Sequence, residues 1–205
     1  MRAIGALLLL LTLGCSPSAA ETAASKRQTP NVAATVVDGR ISLNPGDRRS
    51  LFLPGGDRRP IDSLLKVPSP LKYGQFVWND VGVPEGRTWI RIDLVAQTLS
   101  VFSGKHEIGT AVIVYGADSH LTPRGRFPIL AKFKDHRSSL YDAAMPFTLQ
   151  LTGDGVAIHG SDVRYGAATH GCIGIPEAFA QRLFTTVSRG DLVYIVSEAQ
   201  GAKKV

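Results

Sequence analysis

Two side chains in this sequence have the makings of nucleophilic chemistry. His159 sits in Ile158-His159-Gly160, and Cys172 follows in His170-Gly171-Cys172-Ile173-Gly174. A thiol is a weak nucleophile until it is deprotonated, and a nearby imidazole is the usual means. The two residues are 13 positions apart, so a loop can fold one back onto the other. Gly171 and Gly174 let the main chain approach a substrate and aim N–H groups at a developing oxyanion. A helix beginning near Pro176 would put its positive end behind Cys172 and favour the thiolate. Two blander readings stay open on spacing alone. Cys172 could be a buried, inert thiol. His159, His170 and Cys172 could instead bind zinc, although a structural site needs a fourth ligand and no second Cys remains once Cys15 is processed.

The elements that must position these residues are mostly strands. Thr88 to Leu94 alternates apolar and polar residues, as a half-buried strand does, and pairs through a short turn with Leu99 to Phe102. Ile108 to Tyr115 reads as a third strand and Phe127 to Phe133 as a fourth, after the turn Thr122-Pro123-Arg124-Gly125. Phe147–Leu151 and Val156–Ile158 flank Gly153-Asp154-Gly155, and Asp191 to Val196 closes the domain. One helix, about 177–189, is predicted from Phe179, Leu183, Phe184 and Val187 at helical spacing, with Gly190 as its stop. The fold class is therefore mostly β with one packed helix.

The rest of the chain bounds the setting. The sequence has 205 residues, 44% hydrophobic and 20% charged, which suits one globular domain plus an appendage and excludes a disordered chain. Its net charge of +6 comes from scattered pairs such as Arg48-Arg49, Arg58-Arg59 and Lys203-Lys204. No dense basic run with interleaved aromatics points to nucleic acid. Arg2 followed by an apolar run from Ala3 to Leu13 reads as a signal peptide over residues 1–20. Leu13-Gly14-Cys15 has the look of a lipobox, which would anchor the protein to a membrane by lipid on Cys15; Ser18-Ala19-Ala20 offers ordinary cleavage instead. Either route exports the protein to the periplasm or cell envelope. There are two cysteines in all, so Cys172 is then the lone thiol of the mature protein and is to be treated as reactive. Residues 21–86 read as a tether and a small N-terminal extension, broken by Asn44-Pro45-Gly46, Pro54-Gly55-Gly56 and Pro68-Ser69-Pro70. The main domain spans 87–197 and a tail 198–205.

His159-Gly160 followed by Thr169-His170-Gly171-Cys172 resembles the signature of the L,D-transpeptidase catalytic domain (YkuD-type). Ile92-Asp93-Leu94, Gln97-Thr98-Leu99 and Val101-Phe102 resemble the family's opening hairpin, Thr122-Pro123-Arg124-Gly125 its Thr-Pro-x-Gly turn, and Asp191-Leu192-Val193 its last strand. The resemblance runs from Arg87 to about Ser197. It implies a compact, β-sandwich-like catalytic domain on an exported cell-wall enzyme. It also implies that Cys172 is the acyl-accepting nucleophile and His159 its base. The Gly160 carbonyl would orient the imidazole, the N–H groups of Gly171 and Cys172 would form the oxyanion hole, and His170 would either shape the pocket or serve as a structural hydrogen-bonder.

The implied reaction is ping-pong acyl transfer on peptidoglycan stem peptides through a thioester, cross-linking stems or attaching an envelope protein, with no metal or organic cofactor. A carboxypeptidase or other hydrolase on the same site, or a non-catalytic wall-binding module, are the alternatives. Family members often carry Arg two residues after the Cys, where this chain has Gly174. Arg124, Arg137 or Arg164 could hold a substrate carboxylate from another loop instead, or the choice of substrate differs. Tyr141 is expected to line the donor side.

Overall fold

Short runs of β-branched and aromatic residues, interrupted by Gly and Pro, make this a chain of strands. The computed structural model describes residues 35–37, 39–44, 49–67, 70–117, 120–138 and 142–197. The strands among them are β1 (Thr35–Val37), β2 (Arg40–Ser42), β3 (Arg49–Phe52), β4 (Arg58–Ile61), β5 (Ser63–Leu65), β6 (Phe76–Trp78), β7 (Thr88–Asp93), β8 (Thr98–Ser103), β9 (His106–Val112), β10 (Gly125–Pro128), β11 (Ala131–Phe133), β12 (Thr148–Gln150), β13 (Ala157–Ser161), β14 (Ile173–Pro176) and β15 (Leu192–Val196). The helix α1 spans Glu177–Thr186.

The large sheet runs β1-β2-β5-β9-β8-β7-β15-β10, with β6 also pairing β9; a second sheet runs β11-β12-β13-β14, and β3–β4 form a separate hairpin. Ile90, Ile92, Val193 and Ile195 of the large sheet share one buried cluster with Ile158, Ile173 and Ile175 of the second, and Phe179 and Leu183 of α1 pack into it. The two sheets and the helix thus enclose the main core. The hairpin β7–β8 forms as expected, with Asp93 accepting from the N–H groups of Val95 and Ala96 to close its turn.

Several details depart from the sequence reading. Strand β7 is not half-buried: Ile90 and Ile92 face the main core, while Trp89 is 1% exposed on the other side. There it packs with Phe102 and Tyr194 beneath Leu53 and Ile61, so the β3–β4 region covers the second face of the sheet. The expected strand Phe127–Phe133 is two strands in two sheets. Pro128 has no N–H to offer; Ile129 N–H then donates to the Asp191 carbonyl and Leu130 N–H to that of Gln150, which passes the chain from β15 to β12. The helix ends at Thr186, short of 189. Val187 leaves the helix with extended ψ, and the Lys132 ammonium takes the carbonyls of Phe184 and Val187. The short strands β2, β5 and β6 of the N-terminal extension lengthen the same large sheet. The expected signal segment, Cys15 and the tail lie outside the described residues.

Candidate active site

The second sheet carries His159 in β13, and Cys172 immediately precedes its neighbour β14. Strands β13 and β14 are parallel, with His159 opposite Gly174. Cys172 lies in the bend that leads into β14, two residues before Gly174. The thiol lies over the start of β13: its Sγ donates to the Gly155 carbonyl at 3.6 Å and takes a main-chain hydrogen bond from Ala157.

His159 is 8% exposed, and its Nδ1 is 2.9 Å from the Gly160 carbonyl. Nδ1 must carry the proton to make that bond, so Nε2 is left as the basic nitrogen. Burial lowers the His159 pKa, with His136 nearby adding to the effect and the Gly160 bond opposing it. Burial likewise pushes the Cys172 thiol up, only partly offset by the Ala157 bond. Both shifts favour the uncharged forms, the thiol and the neutral imidazole. This corrects the expectation of help from a helix dipole. Strand β14 stands between Cys172 and α1, and Pro176 caps the helix from outside. Four extended residues put the helix end well over 10 Å away, beyond the range of its terminal partial charge.

The main chain around the thiol is tightly held. Thr122, 5% exposed, accepts from Gly116 N–H at 2.9 Å and donates to the Gly171 carbonyl at 3.0 Å. Thr169 donates to the Cys172 carbonyl at 2.5 Å. Gly171 has φ +102, a conformation that side chains rarely adopt. In the sequence Thr122 reads only as part of a turn and Thr169 only as part of a motif; their hydroxyls carry contacts that spacing does not reveal.

The remaining candidates scatter. His170 is exposed and meets His120 edge-on, with ring centroids 5.2 Å apart. Among the described residues, no three His, Cys, Asp or Glu side chains converge as metal ligands. Arg137 pairs with Asp142 at 3.2 Å and Arg164 with Asp162 at 3.4 Å, each in its own loop. Arg124 makes no ion pair among the described residues and lines a cleft of about 400 Å³ with Tyr115, Gly116 and Thr122, the last of which touches Gly171. Tyr141 lies outside the described residues.

Solved structures share this fold. An L,D-transpeptidase from Mycobacterium smegmatis is 23% identical with a TM-score of 0.51, covering 54% of this chain and 59% of its own. One from Stackebrandtia nassauensis is 21% identical with a TM-score of 0.52, covering 58% and 60%. One from Mycobacterium tuberculosis H37Rv is 20% identical with a TM-score of 0.50, covering 54% and 58%. This chain therefore spans about three-fifths of the length of these relatives. Among curated proteins, none matches it. The family model for the L,D-transpeptidase catalytic domain (YkuD) matches residues 87–195, more than half of the chain and all of the site just described, and the chain belongs to that family.

Proposed function

We propose that this protein is a cysteine-dependent L,D-transpeptidase of the cell envelope that acts on peptidoglycan stem peptides. The observation that supports the reading is the parallel β13–β14 pair, in which His159, with Nε2 left as its basic nitrogen, stands opposite Gly174, two residues after Cys172. Cys172 Sγ attacks the carbonyl of the L-centre diamino acid in a stem tetrapeptide while His159 Nε2 takes the thiol proton. The carbonyl electron pair moves onto oxygen, against the Cys172 N–H. Collapse breaks the C–N bond, and His159 returns the proton to the departing D-Ala amine, leaving a thioester. The side-chain amine of a second stem peptide, or of an envelope protein, then attacks the thioester and releases the thiol. Such exchange needs no ATP, which suits an exported enzyme. The described residues contain no helix long and apolar enough to cross a membrane; lipid on Cys15 is the proposed anchor. Arg124 is the proposed carboxylate holder, because Arg137 and Arg164 are already engaged by aspartates.

Intact-mass and peptide mass spectrometry with a defined tetrapeptide donor tests the reading. A thioester on the Cys172 peptide with release of D-Ala is expected from the wild type, and neither from Cys172→Ala. Turnover by folded Cys172→Ala overturns the assignment. Dimer formation when an amine acceptor is added separates transpeptidase from carboxypeptidase, and a protein that binds wall without any adduct is a binding module.

A further inference from the structure

Both peptide groups that flank Cys172 have their carbonyl oxygen held by a threonine hydroxyl. Thr122 holds the one before it, through Gly171 O at 3.0 Å, and Thr169 the one after it, through Cys172 O at 2.5 Å. A peptide is planar and trans, so its N–H points opposite to its C=O. No peptide among the described residues is cis. Fixing the Gly171 carbonyl therefore fixes the direction of the Cys172 N–H. That peptide needs fixing, because Gly171, at φ +102, has no Cβ and occupies a region where rotation of the adjoining peptide meets little steric resistance.

We infer that Thr122 and Thr169 are positioning residues for acyl transfer: Thr122 holds the Cys172 N–H on the place where the oxyanion forms, and Thr169 pins the peptide that follows, so that Cys172 is held from both sides. The inference rests on the transpeptidase reading above. Thr122 is suited to the task because its own hydroxyl is fixed: it is buried, and Gly116 N–H donates to it, which directs its proton to Gly171 O. A donor that must swing into place as charge develops stabilises the transition state far less than one already aimed. Among the described residues, the thiol's hydrogen bonds are to the Gly155 carbonyl and the Ala157 N–H and to neither threonine. The threonines should therefore govern reaction at a carbonyl without governing the reactivity of the sulfur.

That separation supplies the test. Full-chain wild type, Thr122→Val, Thr122→Ser and Thr169→Val are compared by kcat and KM on a defined tetrapeptide, by iodoacetamide alkylation of Cys172, and by thermal melting. Alkylation forms no oxyanion. Thr122→Val is expected to lose about ten- to hundred-fold in kcat, with KM and alkylation rate within about two-fold of wild type. Thr122→Ser, which keeps the hydroxyl, is expected to restore most of the rate. Thr169→Val should show the same split and decides the matter if Thr122→Val does not fold. Folded valine variants with wild-type kcat, or with alkylation lowered as much as kcat, overturn the inference while leaving the transpeptidase reading in place. A wild type with no turnover overturns both.

Discussion

Gly174 and Val114 exchange both main-chain hydrogen bonds, Gly174 N–H donating to Val114 O at 2.8 Å and Val114 N–H to Gly174 O at 3.0 Å. This pair joins the chain beyond β9 to β14 and so ties the two sheets together two residues from the thiol. It also fills the space into which a side chain at 174 would project. A Cβ there would lie 2.7 Å from Val114 Cγ2 and 2.9 Å from Ser161 Cβ.

Overpacking of this kind typically costs about 1–3 kcal/mol. Gly174→Ala should therefore lower the melting temperature by several degrees, and Val114→Ala added to it should recover part of the loss. Gly174→Arg should destabilise more and should not gain donor affinity. A Gly174→Ala protein that melts with the wild type would show that Val114 and Ser161 yield freely.

The carboxylate of the donor then has to be held from elsewhere. Arg124→Ala is expected to lower kcat/KM by roughly ten- to hundred-fold, the loss of one charge-assisted bond. Arg137→Ala and Arg164→Ala should stay within about two-fold, since each guanidinium is occupied by a neighbouring aspartate. Kinetics of the three variants on a tetrapeptide donor and on its carboxamide analogue decide the matter: the Arg124 effect should vanish on the analogue. Equal activity of all three would point to a donor without that carboxylate.

The shifts at His159 and Cys172 have a pH signature. His159 has its pKa lowered, so it is already the free base at the ordinary imidazole value of about 6.5, and the acid limb of kcat/KM should fall below that pH. The Cys172 pKa is raised, so alkylation by iodoacetamide should keep climbing with pH beyond the ordinary thiol value of about 8.5. A preformed thiolate–imidazolium pair would instead give alkylation that is level across neutral pH, and that result would contradict the geometry described here.

The candidate site was legible in the sequence because its motifs are local: His159-Gly160 and Thr169-His170-Gly171-Cys172 are each runs of adjacent residues. The hairpin β7–β8 was equally legible, since both its strands and its turn are local. What was hidden depends on distant partners. The two-sided burial of β7 follows from a hairpin that lies before it in sequence, and nothing in Trp89 announces Leu53 and Ile61. Strand β14 is four residues long and is a strand because β13 and Val114 bracket it. The expected helix dipole failed for the same reason, because that strand takes the residues that would otherwise have set the helix end beside the thiol.

Glu107 offers a prediction about stability. It is 7% exposed, with one carboxylate oxygen accepting from Leu65 N–H at 2.9 Å, and Arg40 binds its main-chain carbonyl instead of its carboxylate. Burial raises its pKa, against the pull of Ser100, Leu65, Arg40 and Arg91. A raised folded pKa means that its favourable contribution is complete below the ordinary carboxylate value and is lost as pH climbs through the folded one. Relative to Glu107→Gln, the wild type should therefore lose melting temperature between acid and neutral pH. A gap between the two that is constant with pH would show that burial does not control this group.

The last prediction concerns the N-terminal extension. The family match begins at residue 87, which invites expression of that part alone. Strand β6 pairs residues 76–78 with residues 109–111 of β9, and β5 meets β9 at His106. Phe76 and Trp78 pack edge-on against Phe179 of α1, with ring centroids 5.5 and 5.3 Å apart. Trp78 lies so close to the sheet that a Cβ on Gly109 would be 2.5 Å from its ring, so the two positions are fitted to each other. The Arg40 guanidinium binds the carbonyls of both Glu107 and Asn79, clasping the extension to β9. Removing residues 1–86 would bare the β9 edge, the Phe179 ring and, on the opposite face, Trp89 and Tyr194. Exposed strand edges beside apolar surface promote aggregation. A chain of residues 87–205 is therefore expected to be insoluble or to lack a cooperative melt, whereas one beginning at residue 32 should melt with the full chain. Trp78→Ala in the full chain should cost about 3–5 kcal/mol, scaled down for its partial exposure. A cooperative melt of 87–205 within a few degrees of the full chain would show that the extension merely rests on the catalytic domain.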